Sequence, residues 1–149
     1  LGAVVALVHD SLIVLGIFSL FYGLMPFSLE IDQAFIAAIL TVVGYSINDT
    51  VVIYDRIREY IGLYPKRDRK EIMNLALNST LSRTFSTSFS TFIVLLSIFI
   101  FGGEVIRGFV FALLIGIVVG TYSSLFIATP IVYHTVKRSE KAKLAKQKK

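Results

Sequence analysis

One acidic residue lies inside a long apolar stretch, where a charge is costly. Asp49 belongs to the heptapeptide Gly44–Thr50, within an apolar run from about Ile31 to Tyr54. A run of this length is typical of a membrane-spanning helix, which needs about 20 residues to cross about 30 Å of hydrocarbon. An ionised carboxylate near the bilayer centre costs about 2.5–3.5 kcal/mol on insertion scales. We therefore expect a cationic partner, a hydrated cleft or a transported ion beside Asp49.

Arg83 is the basic residue best placed to meet that carboxylate, because every other lysine and arginine falls in a predicted loop or tail. It begins a row with Thr87 and Thr91 at helical spacing of four residues. Antiparallel neighbours would bring Asp49 and Arg83 to similar depth. We predict an ion path formed by Asp49, Arg83 and Thr87, and the alternative is a static ion pair.

Polar neighbours extend this predicted path. Tyr45 and Asn48 lie on the same predicted helix as Asp49, and each could instead form hydrogen bonds that hold the helices together. His9 and Asp10 interrupt the first apolar block and are secondary candidates; a polar pair at the membrane interface is the alternative. Asp55 is a further secondary candidate, although it begins a charged cluster typical of a solvated helix end.

The apolar residues come in long blocks, which predict an all-α membrane protein. Four transmembrane helices are expected at about residues 1–25, 31–59, 79–101 and 105–136, followed by a frayed or disordered basic tail at 137–149. A short amphipathic helix over Lys70–Asn78 is expected to lie at the cytoplasmic interface before the third span. With Leu1 at its start and no cysteine, the chain is expected to be a piece of a longer protein without disulfides.

Charge predicts the orientation of the chain. Thirteen of the 15 lysines and arginines lie from Arg56 to Lys70, around the connection of the second and third spans, or in the tail, so both segments should face the cytoplasm. We predict a multi-pass protein of the inner (plasma) membrane whose basic segments contact anionic lipids. Contact with RNA is the alternative, but the tail has no aromatic residues for base stacking, and no nucleic-acid partner is expected. No metal or cofactor motif and no catalytic constellation occurs, so an enzyme is not expected.

Small residues predict where helices approach closely. Gly44 should admit a neighbouring backbone to the second span. In the fourth span a small residue recurs every four positions, a ridge that includes Gly116 and Gly120 and favours close packing. Pro130 should kink the end of that span.

The sequence resembles the SecF family of protein-export membrane proteins. The resemblance rests on Gly44–Thr50, on Asp55–Glu59, on His9-Asp10 and on Leu81–Thr84, in the family's order and spacing. It implies a membrane subunit that works with SecD and the SecYEG channel, within the resistance-nodulation-division superfamily. Such a subunit uses the proton-motive force, or sodium in some members, to help an exported polypeptide across the membrane.

The resemblance also places Asp49 and Arg83 in the family's ion path. It covers the last four of six membrane helices and lacks the extracytoplasmic domain that would handle the polypeptide. The chain could therefore end a separate SecF or a fused SecDF. Two alternatives remain open: a small-solute exporter of the same superfamily, and a passive membrane scaffold.

Overall fold

Four long helices form the bundle in the computed structural model, which describes residues 2–147 and the side chains of residues 2–138. The helices are α1 (Gly2–Phe21), α2 (Gln33–Leu63), α3 (Arg69–Phe101) and α4 (Glu104–Ser123), and a π-helical segment (Ser124–Ala128) joins α4 to α5 (Thr129–Gln147). Four stretches are long and apolar enough to cross a membrane: α1, α2, α3 and the unit from Glu104 to Arg138. The predicted all-α membrane fold with four spans is confirmed.

The helices run alternately up and down, so the loops divide between two ends. The α2–α3 loop and α5 lie at one end, here called the basic end, and the α1–α2 and α3–α4 loops lie at the opposite end. Asp32 caps α2 by accepting a hydrogen bond from the Phe35 amide at 2.8 Å, and Asp68 caps α3 through the Lys70 amide at 3.2 Å. Gly23, with a φ of 76°, follows the end of α1.

The predicted amphipathic helix over Lys70–Asn78 is not a separate element. It forms the first turns of α3, which continues for 33 residues to Phe101. Neither glycine nor proline interrupts this stretch, so nothing in the sequence ends the helix. Ile72, Met73 and Ala76 are buried within the bundle, whereas an interfacial helix would place them in lipid.

The fourth span is distorted just before Pro130, in the π-helical segment. A proline has no amide N–H to donate a hydrogen bond to the carbonyl four residues earlier. A π-turn is one way to accommodate the loss of that hydrogen bond. The tail predicted to be frayed or disordered is helical as far as Gln147. The side chains after Arg138 lie outside the described residues.

Two apolar clusters sandwich a layer of buried polar side chains. The Phe cluster, toward the opposite end, is built around Phe18, Phe35 and Val42. The Ile cluster, toward the basic end, contains Ile53, Ile57, Met73 and Ala76. Between them lies the polar layer, which comprises Asp10, Ser46, Asp49, Thr50, Thr84, Ser88, Ser123 and Ser124. A polar layer at this depth needs internal hydrogen-bond partners, because hydrocarbon supplies none.

Glycines on α4 allow it to approach α2. A Cβ atom built on Gly116 would collide with the Val42 side chain, and one on Gly120 would lie 3.3 Å from the Cβ of Ser46. Gly44 differs: a Cβ there meets no atom within 4 Å, because Gly44 is exposed on the outward face of α2. The close approach predicted at Gly44 is therefore wrong within this chain.

We predict that Gly116→Ala destabilises the bundle by about 1–3 kcal/mol, since valine is stiff and the new methyl overpacks the α2–α4 contact. Thermal unfolding of the full-length protein in detergent measures this. The matched control Gly44→Ala should be neutral or stabilising by up to about 1 kcal/mol. Adding Val42→Ala to Gly116→Ala should recover much of the loss; no recovery would contradict the assigned contact.

Candidate functional site

Asp10 is the most deeply buried acidic group among the described side chains, with 0% exposure. Its Oδ2 accepts hydrogen bonds from Ser46 Oγ of α2 and Ser123 Oγ of α4, both at 2.7 Å. Its Oδ1 lies 3.1 Å from Nδ1 of the half-buried His9. One carboxylate thus joins α1, α2 and α4 at the centre of the bundle. Asp10 therefore lies inside the bundle and not on its surface.

The approach of α4 to this carboxylate depends on Gly120. A Cβ on Gly120 would lie 3.8 Å from Asp10 Oδ2 and 3.3 Å from the Ser46 Cβ. Any larger side chain would occupy the space next to the three-helix junction. The recurrence of small residues along α4 therefore serves the polar layer as well as the apolar packing.

A second set of hydrogen bonds fastens the π-helical segment to α2. Ser124 Oγ lies 2.9 Å from Thr50 Oγ1 and donates weakly to the Ser46 carbonyl at 3.4 Å. One turn further, the Tyr54 hydroxyl donates to the Ala128 carbonyl at 3.1 Å. Ser46, Thr50 and Tyr54 follow one another every four residues and so form one row on α2.

A third set of hydrogen bonds forms a chain of hydroxyl groups that links α2, α3 and α4. The Tyr45 hydroxyl donates to Ser88 Oγ at 3.0 Å, and Ser88 Oγ lies 2.7 Å from Thr121 Oγ1. Thr121 in turn donates to the Ile117 carbonyl at 2.8 Å. The structure thus places Tyr45 in a chain of hydrogen bonds between helices. This role was predicted from the sequence as the alternative to a place in the ion path.

Asp49 lies in the same layer as Asp10, but its carboxylate is not held by hydrogen bonds in the way that the Asp10 carboxylate is. It is 6% exposed, and its Oδ2 has no hydrogen-bond partner among the described residues. The Tyr45–Ser88 hydrogen bond fixes the antiparallel register of α2 and α3, and in that register Asp49 is level with Thr84. An unpartnered carboxylate oxygen in a buried position is rare and needs an explanation.

Arg83 is near Asp49 without touching it. Its charge is close enough to act on that of Asp49, yet no ion pair within 4.0 Å joins them in the described part of the chain. Arg83 instead lines a cavity of about 390 Å³ between α2 and α3, with Asp55, Arg56 and Glu59 toward the basic end. The cavity is polar, and it places charged groups one to three turns from Asp49.

The other predicted site residues lie on the outward faces of α2 and α3. Asn48, Asp55 and Thr87 are exposed within this chain. Thr87 Oγ1 is engaged with the backbone of its own helix, at 3.1 Å from the Arg83 carbonyl and 3.0 Å from that of Thr84. The structure therefore separates two sets: Asp10, Asp49 and the half-buried Tyr45 face the bundle interior, and Asn48, Asp55 and Thr87 face outward.

Sequence reasoning missed the serines that hold Asp10. Ser46 and Ser123 were not among the predicted site residues. A usable signal is the Thr121–Ser124 run of hydroxyl residues, which lies on a helix otherwise buried by apolar contacts. For a metal, the described side chains offer no group of three or more histidine, cysteine or acidic residues.

Fold and site define a class: a multi-pass helical membrane protein with ionisable groups in a mid-bundle polar layer. The family profile described as "Protein export membrane protein SecD/SecF, C-terminal" matches residues 1–138. The chain belongs to this SecD/SecF family and corresponds to its C-terminal region.

Similar proteins agree with this assignment. The chain is 63% identical over 132 residues to a protein translocase subunit SecF of Rhodothermus marinus, covering 89% of this chain and 43% of that protein. It is 50% identical to the SecF of Cereibacter sphaeroides, over 90% of this chain and 40% of the relative. A crystal structure of SecDF in the super-membrane-facing form matches with a TM-score of 0.84 and 41% identity, covering 97% of this chain and 19% of that one. The chain thus spans about two fifths of the SecF relatives.

We predict that Asp10→Ala destabilises the full-length protein by about 2–4 kcal/mol, because the buried Ser46 hydroxyl loses its acceptor and a cavity is left. Asp55→Ala, at an exposed acidic position, is the control and should change stability by less than about 0.5 kcal/mol. A double-mutant cycle of Asp10→Ala and Ser46→Ala, followed by thermal unfolding in detergent, should show coupling above about 0.5 kcal/mol. Strict additivity would contradict the three-helix junction.

Proposed function

We propose that this chain is the ion-coupled membrane part of a Sec translocase subunit that uses the proton-motive force to assist protein export. In this proposal Asp49 takes up and releases the coupling ion. The single observation that carries it is the buried Asp49 Oδ2, which has no hydrogen-bond partner among the side chains of residues 2–138 and lies in the middle of a membrane span. A polypeptide handled outside the membrane would be bound by parts of the protein beyond this chain.

A comparison of the two buried carboxyl groups, Asp10 and Asp49, supports Asp49 as the group that exchanges the ion. Asp10 has donors on both oxygens and is bonded to two other helices, so a change in its charge would disturb three helices. Asp49 has an oxygen free to receive a proton with less rearrangement. Ionisable groups inside a membrane are commonly parts of ion pathways, because burying them in hydrocarbon destabilises the protein and they are kept only where they serve a function.

The α2–α3 cavity extends from the basic end to Val52, within one turn of Asp49, and in this proposal it is the exit for the proton. Arg83 lies deeper than Asp55 and Glu59, so a proton that left Asp49 would pass the guanidinium before it reached the acidic groups. Arg83 favours the ionised state of Asp49 by charge attraction, and protonation cancels that attraction. Loading and release would then shift the packing of α2 against α3. One elementary charge crossing 100 mV supplies about 2.3 kcal/mol, enough to drive such a shift.

Partners follow from the polar outward faces of α2 and α3. Thr41, Asn48, Thr87 and Ser90 are exposed within this chain at mid-span, beside the open face of Gly44. Such a surface suits another polar helix bundle better than lipid. We assign it to SecD, and we assign the SecYEG channel as the complex that the pair serves.

Orientation in the inner (plasma) membrane follows from charge. The sequence from Arg56 to Lys70 and the segment after Val136 contain thirteen of the 15 lysines and arginines, and positively charged loops face the cytoplasm. We therefore place the basic end, including α5, in the cytoplasm. Protons would then leave Asp49 through the α2–α3 cavity toward the cytoplasm.

We predict that Asp49→Asn in the full-length protein lowers stimulation of export by the proton-motive force at least tenfold, because the amide cannot exchange a proton. Export measured with the gradient collapsed should stay at the wild-type level. Inverted vesicles containing the complex, with a translocated reporter protein, provide the measurement. Asp32→Asn, which removes a charge from the same helix but keeps a side-chain oxygen for its N-cap, is the control and should keep the stimulation. Full stimulation by Asp49→Asn would refute the proposal.

A charge swap distinguishes ion coupling from a passive scaffold. Asp49→Arg combined with Arg83→Asp would preserve a static pair of opposite charges. We expect the swapped protein to lack gradient-driven stimulation, because the carboxylate would move to exposed α3 and the guanidinium into the buried position. Restored stimulation would favour the scaffold.

A further inference from the structure

A continuous groove follows the seam where α3 meets α4 and the π-helical segment. It consists of two cavities of about 450 and 390 Å³ that share Leu125 and Phe126. We call it the α3–α4 groove. Its residues belong neither to the polar layer's Asp10 junction nor to the α2–α3 cavity, so the proposed ion path does not use it.

Aromatic side chains form both walls of the groove in its membrane-central part. On α3, Phe85 and Phe89 stack with ring centroids 5.7 Å apart. On the other side, Tyr122 and Phe126 stack at 5.1 Å. All four rings are more than half exposed within this chain. The walls therefore present a long apolar surface to whatever occupies the groove.

The floor of the groove needs no polar ligand. Its hydroxyl groups, on Ser88 and Thr121, are bonded to each other at 2.7 Å. Tyr45 and the Ile117 carbonyl complete their hydrogen bonds from inside the bundle. An occupant of this part is thus required to be apolar, since it would find no donor or acceptor without a partner.

The groove becomes polar and basic toward the basic end. Lys70, Asn74, Asn78 and Tyr133 line the first cavity there. Lys137 extends this polar group, with Nζ 3.3 Å from the Tyr133 hydroxyl and 5.4 Å from its ring centroid. The nearby acid Glu71 pairs with Arg67 at 3.4 Å and does not line the cavity. The groove thus changes from cationic to apolar along its length.

The dimensions of the groove favour a flexible chain over a helix. Because α3 and α4 touch through the Ser88–Thr121 hydrogen bond, their axes are expected to be about 8–10 Å apart. A helix of about 10–12 Å diameter could rest only on the rims of this crevice, whereas a single acyl chain is thin enough to lie between its walls. From Leu77 to Phe92 the groove runs about 22 Å along α3, which exceeds one half of a hydrocarbon core of about 30 Å.

We propose that the α3–α4 groove binds one anionic phospholipid. An acyl chain lies between the aromatic walls, and the phosphate lies at the basic end between Lys70 and Lys137. The lipid comes from the leaflet that faces the basic end. Only the assignment of that leaflet to the cytoplasmic side rests on the proposed function.

Native mass spectrometry of the full-length protein, titrated with phosphatidylglycerol or with phosphatidylcholine of the same acyl chains, tests this site. We expect one phosphatidylglycerol to be retained at least fivefold more tightly than phosphatidylcholine. Val118→Trp should abolish this retention by filling the groove, because Val118 is a 55% exposed lining residue. The control Val94→Trp, at a 58% exposed position of α3 outside the groove lining, should keep it.

The headgroup is tested separately. Lys70→Gln should weaken phosphatidylglycerol binding about fivefold, since a lysine near a membrane surface contributes about 1 kcal/mol to attraction of anionic lipid. Lys66→Gln, in the α2–α3 loop and outside the groove lining, should leave binding unchanged. Equal retention of both lipids, or retention unaffected by Val118→Trp, would leave only ordinary annular lipid and overturn the proposal. So would a copurifying membrane protein displaced by Val118→Trp. Asp49→Asn should still bind the lipid, so failure of ion coupling is distinguishable.

Discussion

Burial of the Asp10 carboxylate is the constraint on which the rest of the bundle depends. A carboxylate with 0% exposure needs donors, and Ser46 and Ser123 supply them from two other helices at 2.7 Å. Those two hydrogen bonds fix the rotation and height of α1, α2 and α4 relative to one another. Gly120 then has to remain small, because its neighbours Ser46 and Asp10 occupy the space beside it. The Phe and Ile clusters pack on either side of this junction, so the apolar core is divided by it.

The contrast between the two buried acids gives the polar layer its functional meaning. Asp10 is held on both oxygens, and its bonds to Ser46 and Ser123 join α1 to α2 and to α4. Asp49 shares the layer, but its Oδ2 has no hydrogen-bond partner among the described residues, and Arg83 lines the cavity nearby. The proposed function therefore assigns stability to Asp10 and ion exchange to Asp49. A protein that couples an ion to movement benefits from this separation, because the exchanging group can change charge while the junction stays intact.

The π-helical segment connects this layer to the end of the fourth span. Pro130 removes a backbone donor, and the widened turn before it carries Ser124, which bonds to Thr50 of α2. Widened turns of this kind are common at functional sites, because they re-aim side chains and free carbonyl groups. Here the segment also forms part of the α3–α4 groove through Leu125 and Phe126. The π-helical segment therefore contributes a hydrogen bond to the polar layer inside the bundle and two lining residues to the groove on its surface.

The sequence by itself determined the four spans and the presence of a costly acid at Asp49, because hydropathy and charge are local properties. It did not determine that α3 absorbs Lys70–Asn78, since that depends on apolar residues finding a buried surface in the bundle. It also placed Asp10 no better than at one of two depths, and it favoured Asn48 over Ser46 as a site residue. Only the tertiary structure decided which side of α2 faces α1 and α4. The sequence of a helix does not specify its rotation about its own axis, and a rotation of less than half a turn would give its side chains different neighbours.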